Sequence, residues 1–286
     1  MSDAAASFEP HGRYLAGIAY RMLGSVAEAE DVVQDAFLRW DAADRAAVHE
    51  PRAYLARIVS RLCLDRMKSA RAQREKYVGT WLPEPLLEPA AHDPASLAED
   101  LSIALLMTLE RLSPLERAAF LMHDVFDIDY AEIADMLERS EAACRQLTAR
   151  AREHVRDDRP RYPTDPATRE RLVGAFMTAA FGGNVAALTD LLAEQAVMYS
   201  DGGGKRPAAP APIHGRDAIV AFFTKLATQP WSRIAPEQMQ RVDINALPGF
   251  IVQAHDGVQT VAFELAGDQI VAIYIVRNPD KLRHLA

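Results

Sequence analysis

The spacing of apolar residues changes once along this chain, and that change limits the fold more than any other feature. Up to about residue 155 they recur every three or four positions, which predicts helices. Beyond residue 165, three helical segments (168–181, 185–192 and 216–226) are joined by strand patterns at 196–201, 250–257, 258–265 and 269–276, with hairpin turns at 255–257 and 266–268. We therefore expect all-α domains followed by an α+β domain whose antiparallel sheet curves into a cone.

A proline-rich segment interrupts the helical part. Residues 77–96 contain four prolines, which favour an extended, semi-rigid linker. Its apolar residues Tyr77, Trp81, Leu82 and Leu86 indicate that the linker lies against a folded surface. The predicted organisation is a helical domain at 8–76, the linker at 77–96, a second helical domain at 97–158 and the α+β domain at 165–286.

Composition excludes several classes of protein. With 49% apolar and 25% charged residues the chain can bury a core, whereas no apolar run reaches the roughly 18 residues of a membrane span. The N-terminus lacks the pattern of a signal peptide, so a cytoplasmic protein is expected. Cys63 and Cys144 lie far apart without metal-ligand spacing, which points to two buried thiols and to no metal or cofactor.

Charge alternates along the chain. The net charge of −8 argues against a protein that coats nucleic acid by itself. Residues 28–50 and 77–138 are acidic, at −5 and −11, whereas residues 51–76 and 139–160 are basic, at +6 and +2. Such runs are either solvated helix faces or complementary surfaces for partners.

The second and third predicted helices each have an apolar stripe and a charged face. The second buries a stripe that ends at Trp40, and its other face carries Asp31, Gln34, Asp35 and Leu38. That acidic face is either solvent surface or a docking site for a basic helix. In the third helix the predicted apolar stripe is Tyr54, Leu55, Ile58, Val59 and Leu62, and part of its cationic C-terminal run compensates the helix dipole.

Residues 129–154 have the dimensions of a helix-turn-helix. A short helix over 130–137 is followed by Ser140, a predicted N-cap, and by a helix whose apolar face is Cys144, Leu147, Ala151 and Val155. Any helical hairpin can mimic this pattern, but the small and cationic remainder of the second helix suits a major groove.

The two helical segments together resemble an extracytoplasmic-function (ECF) sigma factor of the sigma-70 superfamily. The resemblance covers most of residues 8–155 and rests on GSVAEAEDVVQDAFLRW, PRAYLARIVSRLCLDRMKSAR and the segment from LSPLERAAF to ARAREHV. YVGTWLPEP at 77–85, DGGGK at 201–205 and NPDKL at 278–282 are similar to motifs of the subfamily with a C-terminal SnoaL-like domain.

The resemblance implies a transcription initiation factor whose partners are core RNA polymerase and promoter DNA. Region two would bind the polymerase through Asp31, Gln34, Asp35 and Leu38. It would melt and read the minus-ten element with the loop at 41–51 and with Arg52, Arg57, Arg61, Arg66, Lys68 and Arg71. Trp40 or Tyr54 would stack on a captured base only if exposed, and their stripe positions favour burial.

Region four would read the minus-thirty-five element with the helix that begins after Ser140. Arg145, Gln146 and Arg150 are the predicted base contacts and Arg152 a phosphate contact. One position departs from the family, because Glu138 stands where glycine is usual and a left-handed turn would strain it by about 1 kcal/mol. Given the net acidity, the free chain should bind DNA poorly until polymerase fixes the spacing of the two basic helices.

For the C-terminal domain, the resemblance implies control of the sigma domains in cis through an intramolecular contact. The motif residues are Trp81, Pro83, Asp201, Gly202, Gly203, Gly204, Lys205, Asn278, Pro279, Asp280 and Lys281. Lys205 is expected to face the acidic block 77–138. DGGGK lacks the spacing of a phosphate loop and otherwise reads as a flexible loop, and NPDKL reads as a short helix capped by Asn278.

The sequence is compatible with two other functions. SnoaL-like folds also include cyclases and isomerases, for which His214, His255, Asp201 and Asp256 are the acid–base candidates, although two of these lie in an apparent hairpin turn. A cone also encloses a pocket, so a sensor for a small-molecule ligand is a further interpretation. A helix-turn-helix repressor is disfavoured because it needs neither the first helical block nor the linker.

Overall fold

The computed structural model describes residues 3–74, 77–87, 102–155, 165–182, 184–229 and 234–285. Within these ranges, the side chains of 68–74, 181–182, 185–186 and 236 are not described. The chain divides into two compact units. The first comprises Met1–Lys76 and Ala104–Arg159, and the second comprises Tyr77–Ile103 and Pro160–Ala286.

The N-terminal part of the first unit is a helical bundle. Its helices are α1 (Asp3–Phe8), α2 (Gly12–Leu23), α3 (Val26–Asp41) and α4 (Pro51–Arg74). Gly24 ends α2 in the left-handed region at φ 68°, and the Ser25 hydroxyl accepts from Glu28 N at 3.1 Å to start α3. Trp40 closes the buried stripe of α3 at 1% exposure and donates Nε1–H to Ser7.

The predicted stripe of α4 is only partly correct. Leu55 and Val59 are buried, but Tyr54, Ile58 and Leu62 are half-buried, while Cys63 and Met67 are buried instead. The reason is that α4 packs against α2 and α3 and also against α6 and α7, so its buried surface spans more than one stripe.

The second part of the first unit holds α5 (Ile103–Glu110), α6 (Pro114–Phe120), α7 (Tyr130–Leu137) and α8 (Glu141–Val155). Ser113 and Glu116 form a reciprocal capping box at the start of α6. The Ser140 hydroxyl accepts from Ala143 N at 3.2 Å, which confirms its predicted role as the cap of α8.

A buried arginine joins the two parts of the first unit. Arg117 of α6 is 1% exposed and donates to the Met22 carbonyl near the end of α2 at 2.7 Å. It also donates to the Leu109 carbonyl at 2.7 Å and pairs with Glu110 at 2.6 Å. Glu110 neutralises the charge of the guanidinium, and the two carbonyls accept hydrogen bonds from its N–H groups, as a buried charge requires.

The second unit is an α+β cone. Helices α9 (Pro166–Gly182), α10 (Val185–Leu191) and α11 (Arg216–Ala227) pack on a six-stranded sheet of order β2-β1-β6-β5-β4-β3. The strands are β1 (Leu192–Asp201), β2 (Ile213–His214), β3 (Met239–Ile244), β4 (Leu247–Ala254), β5 (Gly257–Ala266) and β6 (Gln269–Val276). Both predicted hairpin turns are confirmed.

The prediction of an antiparallel sheet is wrong for one pair. β1 pairs with β6 in parallel, with Tyr199 opposite Tyr274, because the chain leaves β1 for α11 and returns only at the end of the domain. β2 and β3 were not predicted; β2 has two residues, and β3 (MQRVDI) offers little apolar alternation. Within the described ranges, no helix combines the length and apolar character needed to cross a membrane.

Candidate functional site

A buried carboxylate, Asp201, lies at the end of β1 and binds the linker. It is 0% exposed. Its carboxylate accepts from Tyr77 Oη at 2.5 Å, from Leu82 N at 2.9 Å and from Lys281 Nζ at 2.7 Å, and Gly203 N donates to it at 3.0 Å. Four donors around one carboxylate form a fully satisfied, charge-assisted network.

Lys281 is the cation of this network. Its side chain is 9% exposed, and its ammonium also donates to the Leu82 carbonyl at 2.5 Å. The ammonium lies 4.3 Å from the centre of the Trp81 ring and 4.9 Å from that of Tyr77, in the range of cation–π contacts. Asp201 and Lys281 therefore hold both backbone polar groups of Leu82.

Asn278 links the NPDKL segment to the same network. Its carbonyl oxygen accepts from Asp280 N at 3.1 Å, which caps the short helix Pro279–Lys281 as predicted. Its amide donates to Tyr77 Oη at 2.9 Å, and its own backbone N–H donates to the Asp201 carbonyl at 3.0 Å. We call Tyr77, Leu82, Asp201, Asn278 and Lys281 the linker clasp.

The glycines of DGGGK are required by close packing, so the interpretation as a flexible loop is wrong. A Cβ at Gly203, whose φ is +60°, would lie 2.2 Å from the Asn278 amide nitrogen. A Cβ at Gly202 would lie 2.1 Å from the Arg206 carbonyl. Neither position has room for a side chain, which explains why small residues follow Asp201.

The linker continues along the second unit beyond the clasp. Leu82 and Pro83 are buried. His284 Nε2 lies 2.8 Å from the Pro85 carbonyl. Leu86 N donates to the side-chain oxygen of Asn245 at 3.1 Å, and Asn245 N donates to the Leu86 carbonyl at 2.9 Å. The prediction that this segment lies against a folded surface is confirmed for 77–87.

Among the described residues, Lys205 contacts no acid of the block 77–138. It pairs with Asp280, and both side chains are substantially exposed, at 54% and 41%. Lys281 is the lysine that contacts the linker, through the Leu82 carbonyl and the rings of Tyr77 and Trp81, while the turn at 202–206 directs Lys205 toward NPDKL.

Burial and hydrogen bonding shift two pKa values around the clasp. Burial and the hydrogen bond to Asp201 raise the pKa of Tyr77 well above its ordinary value, so the phenol stays a donor at neutral pH. The hydrogen bond from Lys205 lowers the pKa of Asp280.

The four acid–base candidates do not share one site. Asp201 belongs to the clasp, and His214 is exposed on the edge strand β2. Asp256 is bound by Arg206 and Arg277, and His255 lies beside it, 3.8 Å away. Burial raises the pKa of Asp256, but the hydrogen bond from Arg206 and the two guanidinium charges outweigh it and hold the pKa below its ordinary value.

On α3, the structure exposes three of the four predicted residues. Asp31, Gln34 and Leu38 face solvent, and Leu38 is a rare exposed large apolar residue at 60%. Asp35 is half-buried and accepts from Arg66 of α4 at 3.0 Å, while Asp31 lies 3.5 Å from the same guanidinium.

The cationic residues of α4 have varied surroundings. Arg52 lies over the Tyr14 ring at 4.0 Å, and Arg61 pairs with Glu138 at 2.8 Å. Arg57 is half-buried beside the loop at 43–50. Lys68 and Arg71 lie in α4, but their side chains are outside the described residues. Trp40 is buried, which confirms the position expected from its stripe.

The outer face of α8 carries the four remaining predicted residues, all exposed. They are Arg145, Gln146, Arg150 and Arg152. Arg145 pairs with Glu141 at 2.6 Å, and Arg152 makes a two-pronged contact with Asp124 at 2.7 Å. The predicted inner face is buried at Cys144, Ala151 and Val155 and half-buried at Leu147.

Comparison with known proteins identifies the two helical parts of the first unit and the family of the chain. The family model for Sigma-70 region 2 matches residues 8–73, and that for Sigma-70, region 4 matches residues 102–155. The ECF RNA polymerase sigma factor SigJ of Mycobacterium tuberculosis is 37% identical over 290 residues, 96% of this chain and 91% of the relative. The chain belongs to the ECF sigma factors. It functions as an RNA polymerase sigma factor.

Two further comparisons extend this result. The ECF sigma factor SigG of the same organism is 29% identical over 250 residues, 77% of this chain and 66% of the relative. The crystal structure of M. tuberculosis SigJ matches this sigma factor with a TM-score of 0.79 and 35% identity, covering 98% of each chain. The similarity thus includes the C-terminal domain as well as the sigma regions.

Two features of this sigma factor bear on the sequence predictions. Glu138, at φ 55° and ψ 50°, adopts the left-handed conformation expected at this turn, and its carboxylate binds Arg61 of region 2. Sequence reasoning named Tyr77 only as an apolar linker residue and missed Asn245 and Arg117. Asn245 lies in the tight β3–β4 turn at φ 51°, and the Asn-Ala pair at that point was a usable turn signal.

Proposed function

We propose that this sigma factor binds core polymerase through α3 and reads the two promoter elements with α4 and α8, while its C-terminal domain controls initiation in cis through the linker clasp. The observation that carries the proposal of control is the buried Asp201–Lys281 pair closed on the backbone of Leu82. The linker is the segment that joins regions 2 and 4 in sequence.

The surface proposed for the polymerase is Asp31, Gln34 and Leu38. An apolar side chain that is 60% exposed between polar neighbours favours a partner helix over solvent. Asp35 is left out of this surface because it is half-buried and already paired with Arg66.

The proposed minus-ten site is a cavity of about 480 Å³ between the loop and the start of α4. Tyr54 and Arg57 line it together with loop residues from Ala43 to Glu50. Arg57 Nε is buried and makes no hydrogen bond within the described ranges, so it is available to a captured base. A concave site with an aromatic ring and a guanidinium suits a base taken out of the stack.

The proposed minus-thirty-five surface is the exposed face of α8. Arg145, Gln146 and Arg150 are spaced to enter the major groove together. In the free chain, three arginines of the proposed DNA-binding surfaces already have acidic partners. The pairs are Arg145–Glu141 and Arg152–Asp124 at α8, and Arg61 of α4 with Glu138. DNA phosphates must displace those acids, which agrees with weak binding by an isolated chain of net charge −8.

The length of linker that is free to extend limits how far apart the two sigma regions can lie. The minus-ten and minus-thirty-five elements are about 25 base pairs apart, or about 85 Å. Between α4 and residue 102 the chain has 27 residues, 75–101. Fully extended, they span about 90 Å. Holding 77–87 on the C-terminal domain fixes the path of that segment and leaves residues 88–101, about 50 Å when fully extended, as the main part of the linker that is free to adjust. Release of the clasp is therefore expected to let the two sigma regions bind both elements more readily.

Run-off transcription with purified core polymerase tests the proposed control. Lys281→Met, which opens the clasp, should raise transcript yield, whereas Asp280→Asn, which removes an exposed pair in the same motif, should leave it unchanged. Equal yields from the wild type and both variants would rule out control through the clasp.

Core binding is tested separately by co-migration with core polymerase on a sizing column. Leu38→Glu should lose co-migration, while Ala218→Glu, at another exposed position on α11, should retain it. Retention by Leu38→Glu would exclude the α3 surface.

A further inference from the structure

The concave face of the C-terminal sheet and its helices enclose a cavity of about 550 Å³. That volume lies in the range that holds drug-sized ligands. Most of the wall is apolar, and its larger side chains are Phe176, Phe222, Phe223, Leu226, Val261 and Ile275. A cavity of this size and character favours an apolar molecule over water alone.

Two buried polar side chains face this cavity. Ser200 is 4% exposed and Gln259 is 9% exposed, and both line the wall. Neither side chain is hydrogen-bonded to another part of the described structure. Their hydroxyl and amide are open to the cavity, where they can bind a partner that enters it.

The polar side chains lie at one end of the cavity, beside a cationic cluster. Thr260 of β5 lies opposite Val276 of β6 in the antiparallel pair, so Gln259, which precedes Thr260, and Arg277, which follows Val276, lie at the same end of the two strands. Arg277 lines the cavity, and it shares the single carboxylate of Asp256 with Arg206. Two guanidinium groups and one carboxylate give this end a net charge of about +1.

We propose that the cavity binds a largely apolar small molecule that carries a carboxylate or carbonyl at one end. The apolar body fills the space between the phenylalanines and the sheet. The acceptor oxygens bind the Ser200 hydroxyl and the Gln259 amide, with the charge of the arginine cluster close by.

The site lies one residue from the linker clasp. Successive side chains of a strand point to opposite faces of a sheet, so Ser200 faces the cavity and Asp201 faces the linker. The loop at 207–211, which forms part of the cavity wall, begins two residues after Lys205, the last residue of DGGGK. A regulatory effect of the ligand rests on the proposed control through the clasp, whereas binding itself does not.

Binding is tested on the full chain with 2-naphthoate as the probe and 2-methylnaphthalene as its uncharged counterpart. We expect saturable binding of 2-naphthoate with a Kd of about 100 µM or below, and at least about tenfold weaker binding of the hydrocarbon. Ser200→Ala combined with Gln259→Leu should remove this preference for the acid.

A plug variant locates the site. Ala211→Trp places a large ring at the cavity wall on an exposed loop and should abolish binding, whereas Ala218→Trp, also exposed but outside the wall, should bind like the wild type. Absence of saturable binding to the wild type, or equal binding by Ala211→Trp, would overturn the proposal.

The link to the clasp has its own readout, hydrogen exchange of the linker peptide that contains Leu82. Saturating 2-naphthoate should change its exchange rate about threefold or more in the wild type and not in Ala211→Trp. If 2-naphthoate binds without any change in exchange at Leu82, the link between the cavity and the clasp is refuted, while the ligand site itself still stands. Failure of the transcription test above would refute the proposed control and would not bear on ligand binding.

Discussion

Asp201→Asn is the substitution with the most readily calculated outcome. The change removes the counter-charge of Lys281, whose side chain is only 9% exposed, and leaves an ammonium enclosed by the Leu82 carbonyl and two aromatic rings. Breaking one partner out of a buried ion pair costs about 3–5 kcal/mol. Asparagine keeps one acceptor oxygen, and Lys281 keeps its contacts with the Leu82 carbonyl and the Trp81 ring. The amide NH2, however, replaces an oxygen that accepted from two donors, so we expect a loss of at least about 3 kcal/mol.

A double-mutant cycle with Lys281→Met measures the pairing itself. If the penalty is that of an unpaired buried charge, the double variant should be more stable than Asp201→Asn alone, since methionine needs no counter-charge. Asp280→Asn provides the matched control, because its pair with Lys205 is exposed and is expected to contribute less than about 1 kcal/mol.

The assay is denaturant unfolding of the second unit combined with hydrogen exchange of the linker peptide. Asp201→Asn should lower the free energy of unfolding by about 3 kcal/mol and speed exchange at Leu82, whose N–H it holds. A loss no larger than that of Asp280→Asn, or strictly additive effects of the two clasp variants, would refute this reasoning.

Three other substitutions give clear expectations. Tyr77→Phe should destabilise the clasp at pH 8, and its difference in stability from the wild type should shrink above about pH 10. The raised pKa of Tyr77 contributes stability that is full below the unfolded pKa of 10.0 and is lost as pH rises beyond it. A difference in urea midpoint that does not depend on pH would count against this. Glu138→Gly should be about 1 kcal/mol more stable than Glu138→Ala in thermal unfolding, since both lose the Arg61 pair and only glycine relieves the left-handed strain; equal stabilities would contradict it. Arg117→Met should cost the first unit about 3–5 kcal/mol in denaturant unfolding, because it leaves the Glu110 carboxylate and the Met22 carbonyl without their buried donor; a loss below about 1 kcal/mol would show that water replaces it.

Local rules were sufficient for much of the helical architecture. The caps at Ser140 and Asn278 and the burial of Trp40 follow from residues within a few positions of each other, and all are confirmed. The left-handed turn at Glu138 was expected from the family resemblance and is also confirmed. The stripe of α4 was predicted less well because periodicity assumes one buried face, whereas this helix packs on both sides.

The sequence by itself determined the family, the order of its helical parts and the surfaces on which Arg145, Gln146 and Leu38 lie, because these depend on motifs and on helical spacing. The tertiary structure alone decided which lysine is buried. Lys205 and Lys281 both lie in recognisable motifs, yet only Lys281 meets Asp201, 80 positions away, and Tyr77 meets the same carboxylate across 124 positions. No local pattern encodes such pairings, since they arise from the parallel pairing of β1 with β6, which brings DGGGK and NPDKL to the same end of the sheet.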